Sequence, residues 1–246
     1  METIEVKKYG LIGFPLSHSF SPKYFAEKFE KENIEGCSYE AYPLQHILEV
    51  QKIIDDGVLG FNVTIPYKED ILDFLKETDD CATAIGAVNC VKNVNGLLYG
   101  FNTDEYGFRT SLLDFIGQSF DGKALVLGTG GAAKAVFYVL NALKIPYLVI
   151  SRKQDYITYE QLTPSMVQDH RLIINTTPLG MYPQVDEYPN LPYDVLSKNH
   201  YLYDLVYNPA ETSFLRKGKE MGAKTKNGAD MLVLQAEKSW EIWNQK

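Results

Sequence analysis

The sequence predicts an α/β protein in two parts, and three observations carry that reading. Lys123–Val136 runs from a short apolar stretch (Ala124–Leu127) through Gly128-Thr129-Gly130-Gly131-Ala132-Ala133 into a helical pattern at Ala135, Val136, Val139, Leu140 and Leu143. A glycine-rich turn between a strand and a helix is the context that marks a dinucleotide-binding loop. After it, apolar strand-like runs alternate with helices or loops, which implies a doubly wound parallel sheet of the Rossmann-like kind. Before it, the Asn95-Gly96 pair between two alternating runs signals a hairpin, so the first part is mixed rather than purely parallel. Expected boundaries are 1–104 with 229–246 for the first domain and 105–228 for the nucleotide-binding domain, the C-terminal helix returning to the first.

Bulk properties narrow the class. The 246 residues are enough to bury a sizeable core, and 45% hydrophobic with 23% charged content is that of an ordinary globular protein. A net charge of −8 argues against a nucleic-acid partner or an anionic membrane surface. No basic start followed by an apolar segment marks a signal peptide, and no apolar run approaches the ~20 residues of a membrane span. Cys37, Cys81 and Cys90 are odd in number and form no Cys-x-x-Cys pair, which suits a reducing cytoplasm and gives no metal cluster.

In chain order, Tyr9–Gly13 reads as a strand and 14–22 as a polar loop. Ser21 is the expected N-cap, and Pro22 the first residue, of a helix reaching Asn33. Ser38–Tyr42 is a strand, Gln45–Asp56 a helix, Gly60–Ile65 a third strand, and Pro66 opens a helix through Leu75. Ala87–Lys92 and Leu97–Phe101 form the hairpin. Glu105–Ile116 is helical and ends at Gly117. The later strands are Ala124–Leu127, Tyr147–Ile150, Arg171–Ile174, Tyr201–Val206 and Ala223–Thr225, followed by a helix over Ala229–Trp243.

Chemistry is expected at strand ends. In the glycine loop, Gly128 permits the tight turn, Gly130 lets backbone N–H groups approach a pyrophosphate, and Ala133 takes the small third position. An NAD site places a carboxylate at the end of the next strand. Here that point reads Ile150-Ser151-Arg152-Lys153, and the Arg152 fork suits a 2′-phosphate, which favours NADP over NAD. Lys68 would lie in the first turn of the helix opened by Pro66, where the helix dipole disfavours a cation by about 0.3–1 kcal/mol. A lysine placed there reads as a proton donor, or else as a solvated charge balanced by Glu69 and Asp70. Asp104, just ahead of a helix, is either its cap or the partner of Lys68. Thr64 and Asn89 are polar residues at strand positions near these two. Gln235 puts an amide on the stripe shared by Leu232, Ala236, Ser239, Trp240 and Trp243, where it needs a buried partner or a ligand. The segments 175–181, 204–209 and 227–229 lie at expected strand carboxyl ends, where open α/β sheets bind ligands.

Together these stretches resemble the shikimate dehydrogenase family. Ser17-His18-Ser19-Phe20-Ser21-Pro22 is similar to its substrate-binding loop, and Asn62-Val63-Thr64-Ile65-Pro66-Tyr67-Lys68 to its catalytic lysine segment. Gly86-Ala87-Val88-Asn89 and Asn102-Thr103-Asp104 are similar to its substrate asparagine and catalytic aspartate, and Met231-Leu232-Val233-Leu234-Gln235-Ala236 to its final helix. The resemblance implies NADPH-dependent reduction of 3-dehydroshikimate to shikimate in aromatic amino-acid biosynthesis, by a cytoplasmic monomer or homodimer with NADP(H) as cofactor. It implies catalytic roles for Lys68 and Asp104, and substrate contacts from Ser19, Ser21, Thr64, Asn89, Tyr207, Gly228 and Gln235. Cofactor contacts are expected from Gly128, Thr129, Gly130, Gly131, Ala132, Ser151, Arg152, Lys153, Asn175, Thr176, Thr177, Met181 and Leu205.

Three features depart from the family pattern. Only Lys153–Arg171 joins the Arg152 region to the third strand, where the family usually has a longer helix and loop. Ser151-Arg152-Lys153 replaces the usual Asn-Arg-Thr, and Asp230 stands where a small residue is expected. The alternatives are a quinate/shikimate dehydrogenase using NAD, which would share nearly every residue named, and a non-catalytic shikimate- or dinucleotide-sensing protein. Retention of both Lys68 and Asp104 speaks against a sensor.

Overall fold

The computed structural model describes residues 6–17 and 19–245, so His18 of the serine loop lies outside the described residues. The chain divides into two compact units, Met1–Tyr106 with Gln235–Lys246, and Gly107–Leu234.

The first unit contains β1 (Lys7–Gly13), α1 (Phe20–Lys31), β2 (Cys37–Pro43), a 3-10 turn at Ile47–Glu49 leading into α2 (Val50–Asp55), and β3 (Val58–Val63). A second 3-10 turn at Asp70–Phe74, β4 (Glu77–Thr78), α3 (Asp80–Ile85), β5 (Cys90–Val94), β6 (Leu97–Phe101) and the start of α4 (Thr103–Ile116) complete it. Its six strands run in the order β2-β1-β3-β5-β6-β4. β1 is parallel to β2 and β3, whereas β5 is antiparallel to both β3 and β6. Asn95 and Gly96 both take positive φ, 54° and 85°, as the tight hairpin between β5 and β6 requires.

Alternation along β3 decides what faces what. Phe61 and Val63 enter a core with Ile12, Val50, Ile71, Val88 and Val91. Gly60 and Asn62 face the other way, and a Cβ on Gly60 would come within 2.3 Å of the Trp243 ring. That face is an aromatic cluster in which Tyr9 stacks on Trp243 at 5.2 Å and Phe25 on Tyr39 at 4.3 Å. The Trp243 indole donates to the Val91 carbonyl at 2.9 Å. This packing seats the last helix, α8 (Ala229–Asn244), on the sheet and directs its inward stripe at β3.

The second unit contains the rest of α4, then β7 (Ala124–Leu127), α5 (Gly131–Ala142), β8 (Tyr147–Ile150), α6 (Pro164–Asp169), β9 (Leu172–Asn175), a 3-10 turn at Tyr193–Val195, β10 (Tyr201–Asp204), α7 (Ser213–Glu220), β11 (Lys224–Lys226) and the first residues of α8. Its five strands run β11-β10-β9-β7-β8, and every pairing is parallel. β7 and β9 are buried at every position, as expected of a sheet covered on both faces.

Several expectations need correction. The helix expected over Pro66–Leu75 does not form. The Lys68 carbonyl accepts from Val88 N at 2.8 Å, and Leu72 N turns instead to the Glu69 carbonyl at 3.1 Å, so the segment closes as turns and a 3-10 helix. α1 begins at Phe20 with Ser19 in the N-cap position, so Ser21 lies inside the helix rather than capping it. Asp230, out of place by family pattern, sits in the first turn of α8 and pairs with Lys226 at 2.7 Å, a favourable charge at a helix start.

Candidate active site

In the first unit, Lys68 and Asp104 come together. The Lys68 ammonium donates to Asp104 Oδ2 at 2.6 Å, with both side chains partly exposed at 27% and 18%. With no helix starting at Pro66, the dipole argument for Lys68 lapses. Its position is set by the Thr64–Tyr67 turn, in which Tyr67 N donates to the Thr64 carbonyl and the Tyr67 hydroxyl is tied to the Leu44 carbonyl at 2.9 Å. Asp104 is not the cap of α4. The Asn102 side chain accepts from Glu105 N at 3.2 Å, leaving the Asp104 carboxylate for Lys68 and Asn89.

Asn89 organises the pair. Its Oδ1 accepts from Thr103 N at 2.6 Å, which fixes the amide so that Nδ2 must donate. Nδ2 reaches Asp104 Oδ1 at 2.9 Å, Thr103 Oγ1 at 3.0 Å and Gln235 Oε1 at 3.4 Å. Gln235 Oε1 thus meets a buried donor, one of the two roles the sequence leaves open for it beside a ligand. Ser239, one turn further on, is fully buried; it donates to the Gln235 carbonyl at 2.9 Å and lies 3.1 Å from Thr103 Oγ1. Asn62 donates to Ser239 Oγ at 2.9 Å and to the Asn89 carbonyl at 3.2 Å, and accepts from the Tyr39 hydroxyl at 2.8 Å. Tyr39 is also hydrogen-bonded to Ser21, and burial raises its phenol well above the usual range. A continuous set of bonds thus runs from Ser21 to Lys68 with the polar groups paired, as buried polar networks require.

Asn62, Thr103, Ser239 and Tyr39 were not among the expected site residues. Two signals existed: Ser239 shares the Gln235 stripe, and Asn62 is a lone amide in the apolar run Gly60–Val63. Of the remaining expected substrate residues, Ser19 is half-buried beside Ser21, and Thr64, its N–H bonded to the Ile12 carbonyl at 2.9 Å, borders the Lys68 turn. Tyr207 and Gly228 lie in the second unit. A Cβ on Gly228 would come within 2.3 Å of the Leu205 carbonyl oxygen, so only glycine allows the 227–229 turn to close on the end of β10.

The expected cofactor residues gather in the second unit. Gly128 has φ 112°, and a Cβ there would meet Thr176 Oγ1 at 2.7 Å and Thr177 Cγ2 at 3.0 Å. Thr129, half-buried, lies with its hydroxyl 3.3 Å from Ser151 Oγ at the end of β8. Gly130 and Gly131 border open space, Ala132 is exposed, and no side chain caps the start of α5, so its first N–H groups face outward. Ala133 is fully buried where α5 meets the sheet. Arg152 and Lys153 are exposed on a short loop closed by the Ser151 N bond to the Ile157 carbonyl at 2.9 Å. Asn175 ends β9 and Thr176 and Thr177 form the turn after it, Leu205 N is bonded to the Asn175 carbonyl at 2.9 Å, and Met181 is 45% exposed. Uncapped donors, an open glycine edge and adjacent cations fit a phosphorylated dinucleotide. Among the described residues no His, Cys, Asp and Glu cluster could hold a metal, and no helix is long and apolar enough to cross a membrane.

Comparison with known proteins gives the family. Residues 11–91 match the family model for the shikimate dehydrogenase substrate binding domain. An NADP(+) shikimate dehydrogenase of Clostridium beijerinckii is 42% identical, the match spanning 96% of this chain and 92% of the relative. The crystal structure of shikimate dehydrogenase from Aquifex aeolicus is 35% identical with a TM-score of 0.86, covering 99% of this chain and 94% of that one. The Thermus thermophilus enzyme, solved in complex with NADP(H) and shikimate, is 32% identical with a TM-score of 0.85, over 97% and 94% of the two chains. With relatives this similar matched along nearly its whole length, the chain belongs to the shikimate dehydrogenase family.

Proposed function

We infer that the protein is an NADP-dependent shikimate dehydrogenase, an oxidoreductase that reduces 3-dehydroshikimate to shikimate in aromatic amino-acid biosynthesis. The observation that carries the mechanism is the 2.6 Å Lys68–Asp104 pair braced by Asn89. NADPH, when bound, would supply the hydride for the C3 carbonyl carbon. As the carbonyl π bond breaks, the Lys68 ammonium gives its proton to the C3 oxygen and is recharged from solvent. Asp104 holds the ammonium in position and balances its charge, and Asn89 keeps that carboxylate from turning away. Ser19 and Ser21 offer compact hydroxyl donors to the substrate carboxylate, while Thr64, Asn89 and Gln235 serve its ring hydroxyls.

In the second unit, the α5 N–H groups and the Gly128–Ala132 edge take the pyrophosphate, and Arg152 with Lys153 takes the 2′-phosphate. None of the three cysteines is in a disulfide, which supports a reducing cytoplasm, and a net charge of −8 speaks against a nucleic-acid partner.

The test is to follow NADPH and NADH oxidation with 3-dehydroshikimate, and the reverse reaction with shikimate and with quinate. Turnover of 3-dehydroshikimate with NADPH is expected to dominate. Faster oxidation of quinate with NAD than of shikimate with NADP would reassign the protein within its family, and no turnover at all would overturn the reading.

A further inference from the structure

One buried carboxylate has no part in the reaction as described. Asp204, at the last position of β10, has no solvent exposure, and no cation is paired with it among the described residues. Three donors serve it instead. Oδ1 accepts from Asn175 Nδ2 at 2.9 Å and from Val206 N at 3.0 Å, and Oδ2 accepts from Thr212 Oγ1 at 2.6 Å. Burying an ion with only neutral donors is costly, so a core with no further task would sooner carry an apolar side chain.

What the charge does is visible at Asn175. Two groups fix the Asn175 amide. The Asp204 carboxylate accepts and cannot donate, so Nδ2 faces it, with the Leu179 carbonyl at 3.5 Å beyond. Thr177 N can only donate, so Oδ1 faces the turn. Oδ1 is thereby turned outward, where it receives Thr177 N at 3.0 Å and Thr177 Oγ1 at 2.6 Å. Thr176 is pinned in turn, its N–H and hydroxyl both bonded to the Leu127 carbonyl at 3.0 and 2.8 Å. The turn so fixed is the one that leaves no room for a Cβ on Gly128.

We propose that Asp204 is a positioning residue of the dinucleotide site: by fixing the Asn175 carboxamide it holds the Thr176–Thr177 turn against the first glycine of the phosphate loop. The proposal rests on the reading of the second unit as the NADP(H) domain. An alanine at 204 removes the acceptor of Asn175 Nδ2 and so the anchor of the carboxamide that receives Thr177 N–H. An amide at 204, by contrast, keeps its oxygen toward Val206 N and Asn175 and turns its NH2 to the Thr212 hydroxyl.

The test is direct NADPH binding by fluorescence titration on the full chain, together with steady-state kinetics and thermal unfolding. Asp204→Ala is expected to raise the NADPH Kd and KM by about 10-fold, one charge-assisted bond's worth, while the shikimate KM stays near wild type. Ser111→Ala removes the Tyr203–Ser111 bond elsewhere in the same unit, so it is expected to lower the melting temperature without changing the NADPH Kd. A folded Asp204→Ala chain with wild-type NADPH affinity overturns the proposal, as does equal weakening by Ser111→Ala, which would reduce the effect to general loosening. If Asp204→Ala does not fold, Thr212→Val, which removes the donor that holds Asp204 Oδ2, is set against Ser111→Ala and decides by the same criterion. Failure of the wild-type chain itself to bind NADPH would overturn the functional reading, an outcome distinct from the others.

Discussion

The Lys68 ammonium and the Asp104 carboxylate are held at 2.6 Å by groups that leave the carboxylate little freedom to rotate: Lys68 has one oxygen, Asn89 the other. Chain elements 36 positions apart are joined through β5, β6 and the first turn of α4, not through a shared helix.

Replacing Lys68 with alanine removes the proton donor and leaves the second unit untouched. Turnover is expected to fall at least ~100-fold while the NADPH Kd is unchanged, because general acid help is worth 10²–10⁴ in rate. Kinetics beside a binding titration check this, and full activity in the variant would take Lys68 out of the mechanism.

Asn89→Ala removes two things at once. Thr103 N–H loses a buried acceptor, which costs about 1–3 kcal/mol of stability. Asp104 Oδ1 loses its donor, so turnover is expected to drop about 10- to 100-fold through the misplaced pair. Urea unfolding and kcat read the two effects separately. A variant less stable by this amount but with wild-type kcat would show that the pair needs no bracing.

How far the sequence reaches is clear from these residues. The glycine loop is legible because its strand, turn and helix signals are all local: Ala124–Leu127 reads as β7 by its apolar run, and Gly128 has the φ its position implies. Gln235 is legible as an amide on an apolar stripe. Lys68 draws attention for a reason that the structure removes. A 3-10 turn replaces the helix because Val88, twenty positions on, takes the Lys68 carbonyl, and no local pattern announces a bond of that range. The same holds for Asn62, Thr103 and Ser239, which are ordinary residues singly and a network only when β3, α4 and α8 pack together. Asp204 is hidden differently, since an Asp near the end of an expected strand reads as solvent-facing until its burial is known.

Arg152→Ala tests the 2′-phosphate assignment. The side chain is exposed, so the melting temperature is expected to stay within about 1 °C. The NADPH KM should rise far more than the NADH KM, because only the former ligand carries the phosphate that the guanidinium fork matches. Equal effects on both cofactors would sink the assignment.

Two glycines separate a folding role from a binding one. A methyl at Gly130 meets nothing within 4 Å, whereas at Gly228 it would sit 2.3 Å from a backbone oxygen. Gly130→Ala should therefore fold normally yet weaken NADPH binding about 10-fold or more, by standing where a pyrophosphate approaches the backbone. Gly228→Ala should lose about 1–3 kcal/mol of stability as the Leu205 backbone is pushed aside. Thermal unfolding with and without NADPH distinguishes them, and a destabilised Gly130→Ala chain with intact binding would contradict the phosphate-loop reading.

The last expectation concerns pH. Burial pushes the Asp204 carboxyl up to about 6 from 3.8, partly offset by its bonds from Thr212, Val206 N and Asn175. The facing Tyr193 phenol is itself raised by burial and stays neutral throughout. Between pH 4 and 6 the folded chain therefore holds a proton that the unfolded chain has released, and stability must decrease as pH rises through this window. A rise of about two in pKa corresponds to roughly 3 kcal/mol, lost between about pH 4 and 7. Asp204→Asn cannot titrate, so the stability difference between it and wild type should shift by that amount across the range, while other carboxylates cancel in the comparison. Urea unfolding of both proteins at half-unit pH steps reads it. A difference that stays flat over that range would mean that Asp204 ionises in the folded protein as freely as in the unfolded chain, and that its three donors fully replace water.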